Sequence, residues 1–253
     1  MTLHLIGIGI DNEKDITLKG LERVKASEYV FLEDYTSILN IDISRLTELY
    51  GKEIIRADRD LVENRAEKEI LEKAKNKDVA FLVVGDIFGA TTHADLLMRA
   101  KEMNIRCTIT HNTSIINAVS ETGLELYKFG KTTSIPFPEG SHRPSTAYDV
   151  IASNLKNGLH TLALLDIKRD EDKYMTVGEA IRILLDIEEE KKKRIFTEDT
   201  LCVGCARIGS DTAKISFGKA KELIEEDFGE PLHCLIIPGK MHFMEEDMLK
   251  TWR

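Results

Sequence analysis

The stretch FLVVGDIFGATTHADLLMRA, residues 81–100, decides the fold class of this chain. Four apolar residues, Phe81 to Val84, run into a Gly-Asp pair, as a buried strand does at its end. Gly89 then opens a polar Ala-Thr-Thr-His segment, and a helical pattern begins at Ala94. A strand followed by glycine, aspartate and hydroxyl groups before a helix predicts an α/β unit with a loop that can hold a ligand.

Short apolar runs alternate with helical patterns along the rest of the chain. The predicted strands are Thr2–Ile8, Tyr29–Leu32, Val79–Val84, Arg106–Thr110, Thr161–Leu165, Leu201–Ala206 and Leu232–Ile237. Helices are predicted at Thr17–Ala26, Ala66–Lys75 and Ala94–Glu102. This alternation predicts an α/β fold with a mainly parallel sheet in the first part of the chain. A less regular alternation later in the chain predicts a mixed sheet there.

The segment KTTSIPFPEGSHRPSTAYD, residues 131–149, holds three of the five prolines of the chain. A helix cannot run through closely spaced prolines, so the segment is predicted to be a loop or a linker. It suggests a division into two α/β domains with a ligand cleft between them.

Composition excludes several classes of protein. The chain has 253 residues, of which 42% are apolar and 31% charged, as in a folded globular protein. Its net charge of −9 makes nucleic acid an unfavourable partner. The basic run at 191–194 follows three glutamates, and their i,i+4 spacing predicts a solvated helix face. We expect a cytoplasmic protein, because no signal peptide or membrane span is apparent.

Cys202 and Cys205 form a C-x-x-C motif that could suggest a metal or redox site. The motif lies in a predicted strand, where residues three apart point to opposite faces and cannot share a metal. Cys107 and Cys234 are isolated in the sequence, so we expect buried structural thiols and no metal site.

Two other loops follow predicted strands in the first half of the chain. Gly7 and Gly9 end the first strand, but Asn12 stands where a dinucleotide-binding motif needs its third glycine. A simple tight turn therefore explains this loop nearly as well as a ligand does. Either Asp15 or Thr17 is a plausible cap for the helix that follows.

The loop THNTSIINAVSETGL, residues 110–124, is the third of this kind. Thr113 or Ser114 either caps the next helix or leaves neighbouring amides free for a ligand. Asp86 likewise either binds a cationic ligand group or only shapes its own turn. Because the carboxyl ends of parallel strands share one edge, the three loops are predicted to converge on one small-molecule site.

At these motifs the sequence resembles the diphthine synthases, a branch of the class III S-adenosylmethionine (AdoMet) methyltransferases that includes the tetrapyrrole methylases. The segments that carry the resemblance are LIGIGIDNEKDITLKGLE, EDYTSIL, GDIFGATTHADL, YKFGKTTSIPFPEG, LLDIK, YMTVGEA and LHCLIIPGKMHFMEEDML, in family order over almost the whole chain. One departure is Ile87, at a position where proline is usual, which is expected to loosen the turn beside Asp86.

The resemblance implies a homodimer of chains with an N-terminal α/β domain, residues 1–112, and a C-terminal α/β domain, residues 113–253. AdoMet would occupy the cleft between them and leave as S-adenosylhomocysteine. The positions that match AdoMet contacts in the family are Ile10, Asp86, Gly89, Ser114, Ile115, Leu165, Ile208 and His233. Asp86 is expected to face the amino group of AdoMet, and Ile10 and Leu165 to enclose its adenine.

The implied protein substrate is translation elongation factor 2, at a histidine that carries a 3-amino-3-carboxypropyl group. Methylation of its amino nitrogen gives diphthine, on the route to diphthamide, with three methyl groups on nitrogen or a fourth on the carboxylate. The catalytic residues stay open, with His93, His111 and His233 as candidate proton acceptors. The alternatives are a methyltransferase for a tetrapyrrole or another small molecule, and a non-catalytic AdoMet-binding module.

Overall fold

The computed structural model describes residues 1–39, 41–90, 93–138, 140 and 143–253. The chain divides into two compact units, Met1–Ala118 and Val119–Arg253. The domain boundary implied by the resemblance, between residues 112 and 113, stays a prediction. Within the described ranges, no helix combines the length and apolarity that crossing a membrane requires.

The first unit is built on a five-stranded parallel sheet. Its strands are β1 (Thr2–Gly7), β2 (Tyr29–Glu33), β3 (Ile54–Ala57), β4 (Val79–Val83) and β5 (Arg106–Thr110). Its helices are α1 (Leu18–Ala26), α2 (Ile43–Tyr50), α3 (Arg59–Glu63), α4 (Glu72–Asn76), α5 (Ala94–Glu102) and α6 (Ile115–Ala118). The strand order is β3-β2-β4-β1-β5, so β1 lies between β4 and β5.

Strand β4, at the centre of this sheet, is apolar along its whole length because both faces are covered. All five residues of β4 are buried, and alternate residues join different clusters: Phe81 packs with Leu3 and Leu5, whereas Leu82 packs with Ile6. The register sets Gly7 of β1 opposite Val83 of β4. The carboxyl ends of these strands therefore lie side by side, and the loops that follow them start at the same edge.

The second unit contains a mixed five-stranded sheet and a separate two-stranded ribbon. Its strands are β6 (Thr133–Ile135), β7 (Thr161–Leu165), β8 (Ile167–Lys168), β9 (Lys173–Tyr174), β10 (Leu201–Ala206), β11 (Lys214–Lys219) and β12 (His233–Ile237). Its helices are α7 (Thr146–Lys156), α8 (Val177–Lys191), α9 (Ala220–Leu223) and α10 (Phe243–Leu249). The order of the larger sheet is β11-β10-β12-β7-β6. In it β6 runs parallel to β7, whereas the other three pairs are antiparallel.

The predicted α/β class, with a parallel sheet followed by a mixed one, is confirmed. All seven predicted strands are present, with ends that differ by at most one residue. Sequence reasoning missed β3, β6 and β11, which lie at sheet edges, and the short ribbon β8–β9. Edge strands carry fewer buried residues, as the half-exposed Ile54 and Ile55 of β3 show, and so their apolar signal is weak.

The proline-containing segment lies inside the second unit, where it supplies β6 and the start of α7. Glu139, Ser141 and His142 of this segment lie outside the described residues.

The acidic and basic run is exposed as predicted at residues 189, 190 and 192–194, but the continuous helix expected there, with its i,i+4 ion pairs, is wrong. Helix α8 ends at Lys191, and Lys192 and Arg194 have φ of +53° and +57°. The chain folds back, so that Glu188 accepts the backbone N–H groups of Arg194, Ile195 and Phe196, at 2.6, 2.7 and 3.0 Å. The Glu188 carboxylate therefore stabilises a turn after α8, in place of the predicted i,i+4 ion pairs.

The cysteines are buried as predicted at Cys202, Cys205 and Cys234, whereas Cys107 is partly exposed. Cys234 is isolated in the sequence, but the β10–β12 register sets it directly opposite Cys205. The hydrogen bond between the two thiols, together with burial, raises the pKa of Cys205 well above its ordinary value. Sequence spacing could not show this contact, since it depends on which strands become neighbours.

Candidate ligand-binding site

Three loops meet beyond the carboxyl ends of β1, β4 and β5. The backbones of the first two loops are hydrogen-bonded to each other. The N–H of Gly85 donates to the carbonyl of Gly9 at 2.6 Å, and the N–H of Gly9 donates to the carbonyl of Gly85 at 3.3 Å. The third loop is tied to the first by Asn112, whose Nδ2 donates to the carbonyls of Gly7 and Asp15, at 3.1 and 3.0 Å. The convergence predicted from the sequence is therefore present within the first unit.

Glycine is required where these loops touch. Gly85 has a φ of +85°, and a Cβ there would lie 3.6 Å from Cβ of Ser114 and 3.9 Å from Cγ2 of Ile10. A Cβ at Gly89 would lie only 2.7 Å from the Oγ of Ser114. Three predicted ligand contacts thus lie close together: Ile10 and Ser114 beside the buried Gly85, and Gly89 beside Ser114.

The loop after β1 is shaped by a carboxylate. The Oδ2 atom of Asp15 accepts the N–H groups of Ile10 and Asp11, at 3.1 and 2.9 Å. Of the two residues proposed as helix cap, Thr17 caps α1, because its hydroxyl accepts the N–H of Gly20 at 3.0 Å. Since the N–H of Ile10 is used inside the loop, Ile10 can meet a ligand through its side chain.

The third loop leads into α6, and Ser114 occupies the capping position. The carbonyl of Ser114 accepts the N–H of Ala118 at 2.9 Å, and its own N–H donates to Oδ1 of Asn117 at 2.8 Å. Ile115, the other contact predicted in this loop, is the first residue of α6. Asn112 was missed by sequence reasoning, although an asparagine directly after a strand and a histidine is a common loop-forming residue.

Asp86 organises the second and third loops together. Its Oδ1 accepts the N–H of Phe88 at 2.9 Å, and its Oδ2 accepts the N–H of Asn112 at 3.0 Å. Oδ2 also lies 2.9 Å from Nδ1 of His111. Burial raises the pKa of Asp86, but these hydrogen bonds outweigh it and hold the pKa below its ordinary value. The carboxylate is therefore ionised near neutral pH, and one lone pair of Oδ1 stays available to a cationic group.

Ile87 does not open the turn beside Asp86. The N–H of Gly89 donates to the carbonyl of Asp86 at 3.2 Å, so the turn is closed without a proline. The side chain of Ile87 is fully buried in the core of the first unit. The next two residues of the loop, Thr91 and Thr92, lie outside the described part of the chain.

The histidines near these loops differ in exposure. His93 is buried, and its ring packs edge-on against Phe81 and Tyr35, with centroids 5.4 and 6.4 Å apart. Burial lowers the pKa of His93 to about 4, so its ring is neutral near pH 7. The side chain of His111, in contrast, is 70% exposed.

The loop after β2 carries a buried carboxylate that sequence reasoning missed. Glu33 accepts the N–H groups of Tyr35 and Thr36, at 3.0 and 2.8 Å, and the hydroxyl of Thr36 at 2.8 Å. Burial raises the pKa of Glu33 in spite of these bonds. The available signal was a glutamate directly after the apolar run of this strand, at the same edge as the other loops.

The remaining predicted contacts meet at one edge of the second sheet. Leu165 ends β7, next to Leu164, which pairs with Cys234 of β12. His233 begins β12 and pairs with Ala206, two residues before Ile208. The register therefore brings Leu165, Ile208 and His233 to neighbouring positions within the second unit.

His233 presents an unsatisfied nitrogen. Its Nε2 lies 3.0 and 3.1 Å from the carbonyls of Gly229 and Glu230, so this nitrogen carries a proton and donates. Burial lowers the pKa of His233 below its ordinary value, which keeps the ring neutral. Its Nδ1 is buried and has no hydrogen-bond partner among the residues that the structure describes. A lone pair in this position suits a donor group on a ligand.

Comparison with known proteins gives the class. The model of the family Tetrapyrrole (Corrin/Porphyrin) Methylases matches residues 2–224. The chain therefore belongs to the tetrapyrrole methylases, a class of methyltransferases.

The full-length relatives are more specific. The chain is 50% identical over 251 residues to the diphthine synthase of Methanocaldococcus jannaschii, covering 98% of this chain and 97% of the relative. It is 45% identical over 270 residues to the diphthine methyl ester synthase of Dictyostelium discoideum, covering 100% and 98%. A crystal structure of a candidate diphthine synthase from Entamoeba histolytica matches with a TM-score of 0.92 and 46% identity, over 99% and 98% of the two chains. The resemblance to the diphthine synthases, and with it the prediction of a methyltransferase, is confirmed.

Proposed function

We propose that this chain uses AdoMet to methylate the amino group of the 3-amino-3-carboxypropyl-modified histidine of elongation factor 2, giving diphthine. The observation that carries the proposal is full-length similarity, at 45% and 50% identity, to relatives named for diphthine chemistry. Similarity at this level extends through both units, so the loops and edges described above belong to the shared part of the chain.

The residues present suit AdoMet. The free lone pair on Oδ1 of Asp86 fits the ammonium of its methionine moiety, because an ionised carboxylate is the usual partner of a buried ammonium. The orphaned Nδ1 of His233 can accept a hydrogen bond from an amino or hydroxyl group of a ligand. The resemblance implies that Ile10 and Leu165 supply apolar surface for the adenine. When bound, AdoMet supplies a methyl group activated on a sulfonium.

The chemistry asks little of the protein beyond positioning. Sulfonium methyl transfer has a neutral thioether as leaving group, so no general acid is needed. Holding the amine in line with the methyl group can contribute several kcal/mol. What the protein must also supply is an amine without its extra proton, because an ammonium has no lone pair for attack.

The first experiment incubates the purified protein with labelled AdoMet and elongation factor 2 that carries the 3-amino-3-carboxypropyl group. Unmodified factor is the control, and mass spectrometry of the target peptide counts the methyl groups. Methylation only of the modified factor supports the proposal. The count then assigns the chain either to three methyl groups on nitrogen or to a fourth on the carboxylate, as a methyl ester.

The name of the matching family supports a second candidate function, the methylation of a tetrapyrrole. Turnover of a precorrin-type substrate, with none of the modified factor, would replace the first proposal by this one. A non-catalytic AdoMet-binding module would bind AdoMet and label neither substrate. The closed turn at Ile87 removes the main argument for that module.

We also propose that the protein works in the cytoplasm as a homodimer, as the resemblance implies. Light scattering of the purified protein tests the oligomeric state: a mass of twice 28.6 kDa is expected, and a mass of 28.6 kDa would contradict the dimer. Fractionation of the source cells tests the location, and recovery with elongation factor 2 in the cytosolic fraction is the expected result.

A further inference from the structure

The proposed reaction creates a need for a proton acceptor. Alkylamines such as that of lysine have a pKa of about 10.4 and are protonated at neutral pH. Each methyl transfer to nitrogen therefore starts with an ammonium that must lose one proton. Transfer to a carboxylate has no such requirement, because the carboxylate is already ionised at neutral pH.

Only a nitrogen that is accessible to the substrate and unprotonated can accept this proton. His93 is buried between two aromatic rings, and the Nε2 of His233 is committed to two backbone carbonyls. His111 differs from both, because its side chain is 70% exposed and lies at the edge where the three loops converge.

The tautomer of His111 follows from its partner. The Oδ2 of Asp86 belongs to an ionised carboxylate and can only accept, so the Nδ1 of His111, 2.9 Å away, must donate. In the neutral ring this leaves the lone pair on Nε2, the nitrogen farther from Asp86. The ring of Phe88 also packs edge-on against the imidazole, with centroids 6.2 Å apart. The imidazole thus has contacts on two sides.

The location also fits. If Asp86 binds the ammonium of AdoMet, the methyl-donating sulfur is near, because only two methylene groups separate that sulfur from the carbon bearing the ammonium. His111 contacts the same carboxylate and therefore stands at the methyl-donating end of the ligand.

We infer that Nε2 of His111 accepts the proton that the substrate ammonium loses before each methyl transfer to nitrogen, an inference that rests on the proposed function. The N–H bond breaks and its electron pair stays on the substrate nitrogen. That pair then forms the new N–C bond, while the bond between methyl and sulfur breaks and its electrons remain on sulfur. The imidazolium is stabilised by Asp86 until it releases the proton to water, which its exposure permits.

The substitution His111→Asn separates proton transfer from positioning. The asparagine amide can still donate to Asp86 from roughly the place of Nδ1, but it has no basic nitrogen in the place of Nε2. We expect the single-turnover rate on the modified factor to fall about 100-fold or more at pH 7. The dissociation constant of AdoMet, measured by calorimetry, should change by less than about twofold, since the Asp86 contacts are retained.

The pH profile distinguishes this role from a structural one. The deficit of the variant should shrink as the pH rises toward the pKa of the substrate amine, because hydroxide and water then remove the proton. Added imidazole should restore part of the rate at pH 7. The matched control is His242→Asn, the same replacement at an exposed histidine that caps α10, which should leave the rate unchanged.

The outcomes are distinguishable. If the wild-type protein does not methylate the modified factor, the proposed function fails and the inference fails with it. If the wild type is active and His111→Asn is within twofold of it at pH 7, the inference alone is overturned. Parallel loss of AdoMet binding in the variant would also overturn it. Should His111→Asn not fold, His111→Gln, which also lacks a basic nitrogen, provides the same measurement.

Discussion

Two histidine–carboxylate pairs in this chain have the same length and opposite surroundings. His111 Nδ1 and Asp86 Oδ2 are 2.9 Å apart at an open sheet edge, and His160 Nε2 and Glu245 Oε1 are 2.9 Å apart in the second unit. The side chains of the first pair are 70% and 14% exposed, whereas those of the second are 0% and 1% exposed.

The buried pair uses nearly all of its polar atoms. The Nδ1 of His160 accepts the N–H of Gly239 at 2.9 Å, so its Nε2 carries the proton that it donates to Glu245. Glu245 also accepts the N–H of His242 at 2.7 Å and forms an ion pair with Lys128. Burial raises the pKa of Glu245, but these hydrogen bonds outweigh it and lower the pKa to about 2.

The comparison shows which feature allows a histidine–carboxylate pair to take part in proton transfer. Distance and partner type are shared, but only His111 has a ring nitrogen that stands in solvent while the other is held. A histidine bonded through both nitrogens can stabilise a fold, whereas one bonded through a single nitrogen can also exchange a proton. We expect substitutions of the buried pair to change stability and substitutions of the open pair to change ligand binding and rate.

The largest effect is expected for Glu245→Ala. Removing the carboxylate leaves the N–H of the buried His160 without its partner and takes from Lys128 the closer of its two ion pairs. The free energy of unfolding should fall by about 3–5 kcal/mol. Urea unfolding measures it, and Glu246→Ala, at an exposed position of the same helix, is the control with an expected change within about 0.5 kcal/mol. Equal losses of unfolding free energy in Glu245→Ala and Glu246→Ala would mean that the buried network does not stabilise the fold.

Acid should lower the free energy of unfolding through the same buried network around Glu245. The pKa of Glu245 is about 2 in the folded chain and 4.5 as its ordinary value, so the folded state holds its proton less tightly. The ionised Glu245 therefore stabilises the fold fully above pH 4.5, and this stabilisation is lost as the pH falls to about 2. By linkage it contributes about 3 kcal/mol to the free energy of unfolding. His160 acts in the same direction, because burial lowers its pKa in spite of the nearby carboxylate.

Urea unfolding between pH 6 and pH 3 measures this dependence. Glu245→Gln should show a smaller slope of unfolding free energy against pH than the wild type, since the amide does not titrate. A full slope in Glu245→Gln would assign the acid sensitivity to other groups, such as Glu188.

A smaller effect is expected for Asp86→Asn, and on a different quantity. Loss of the charge opposite the ligand ammonium should weaken AdoMet binding by about 1.5–3 kcal/mol, or roughly 10- to 150-fold. Calorimetric titration measures the affinity. Asp95→Asn, at an exposed position of helix α5, is the matched control and should bind normally. If Asp86→Asn binds AdoMet as tightly as the wild type, Asp86 only shapes its loop.

The smallest effect is expected where a single neutral hydroxyl is removed. Tyr148 donates to Glu188 at 2.7 Å, and Tyr148→Phe should lower the free energy of unfolding by about 1 kcal/mol. Tyr127, which is 80% exposed, gives the control Tyr127→Phe with no measurable change in thermal unfolding. A larger loss for Tyr148→Phe than for Glu245→Ala would reverse the ranking of the two networks.

Local signals were enough for much of the fold. The strand at Arg106–Thr110 and the helix at Ala94–Glu102 were predicted with their observed ends, because periodicity and flanking polar residues are properties of neighbouring residues. The error at Lys192 has the same origin: the i,i+4 pattern favoured a longer helix, and the competing carboxylate contacts of Glu188 involve residues that only a turn brings near.

The sequence by itself determined the α/β class, the three loops with their glycines and the resemblance to the diphthine synthases, because these depend on residue type and spacing along the chain. Only the tertiary structure decided that Asp86 meets His111, 25 residues away, and that Cys205 faces Cys234. It also decided that His160 is buried and His111 is open. The physical reason is that strand order and register choose which distant side chains become neighbours, and burial then sets what each pair can do.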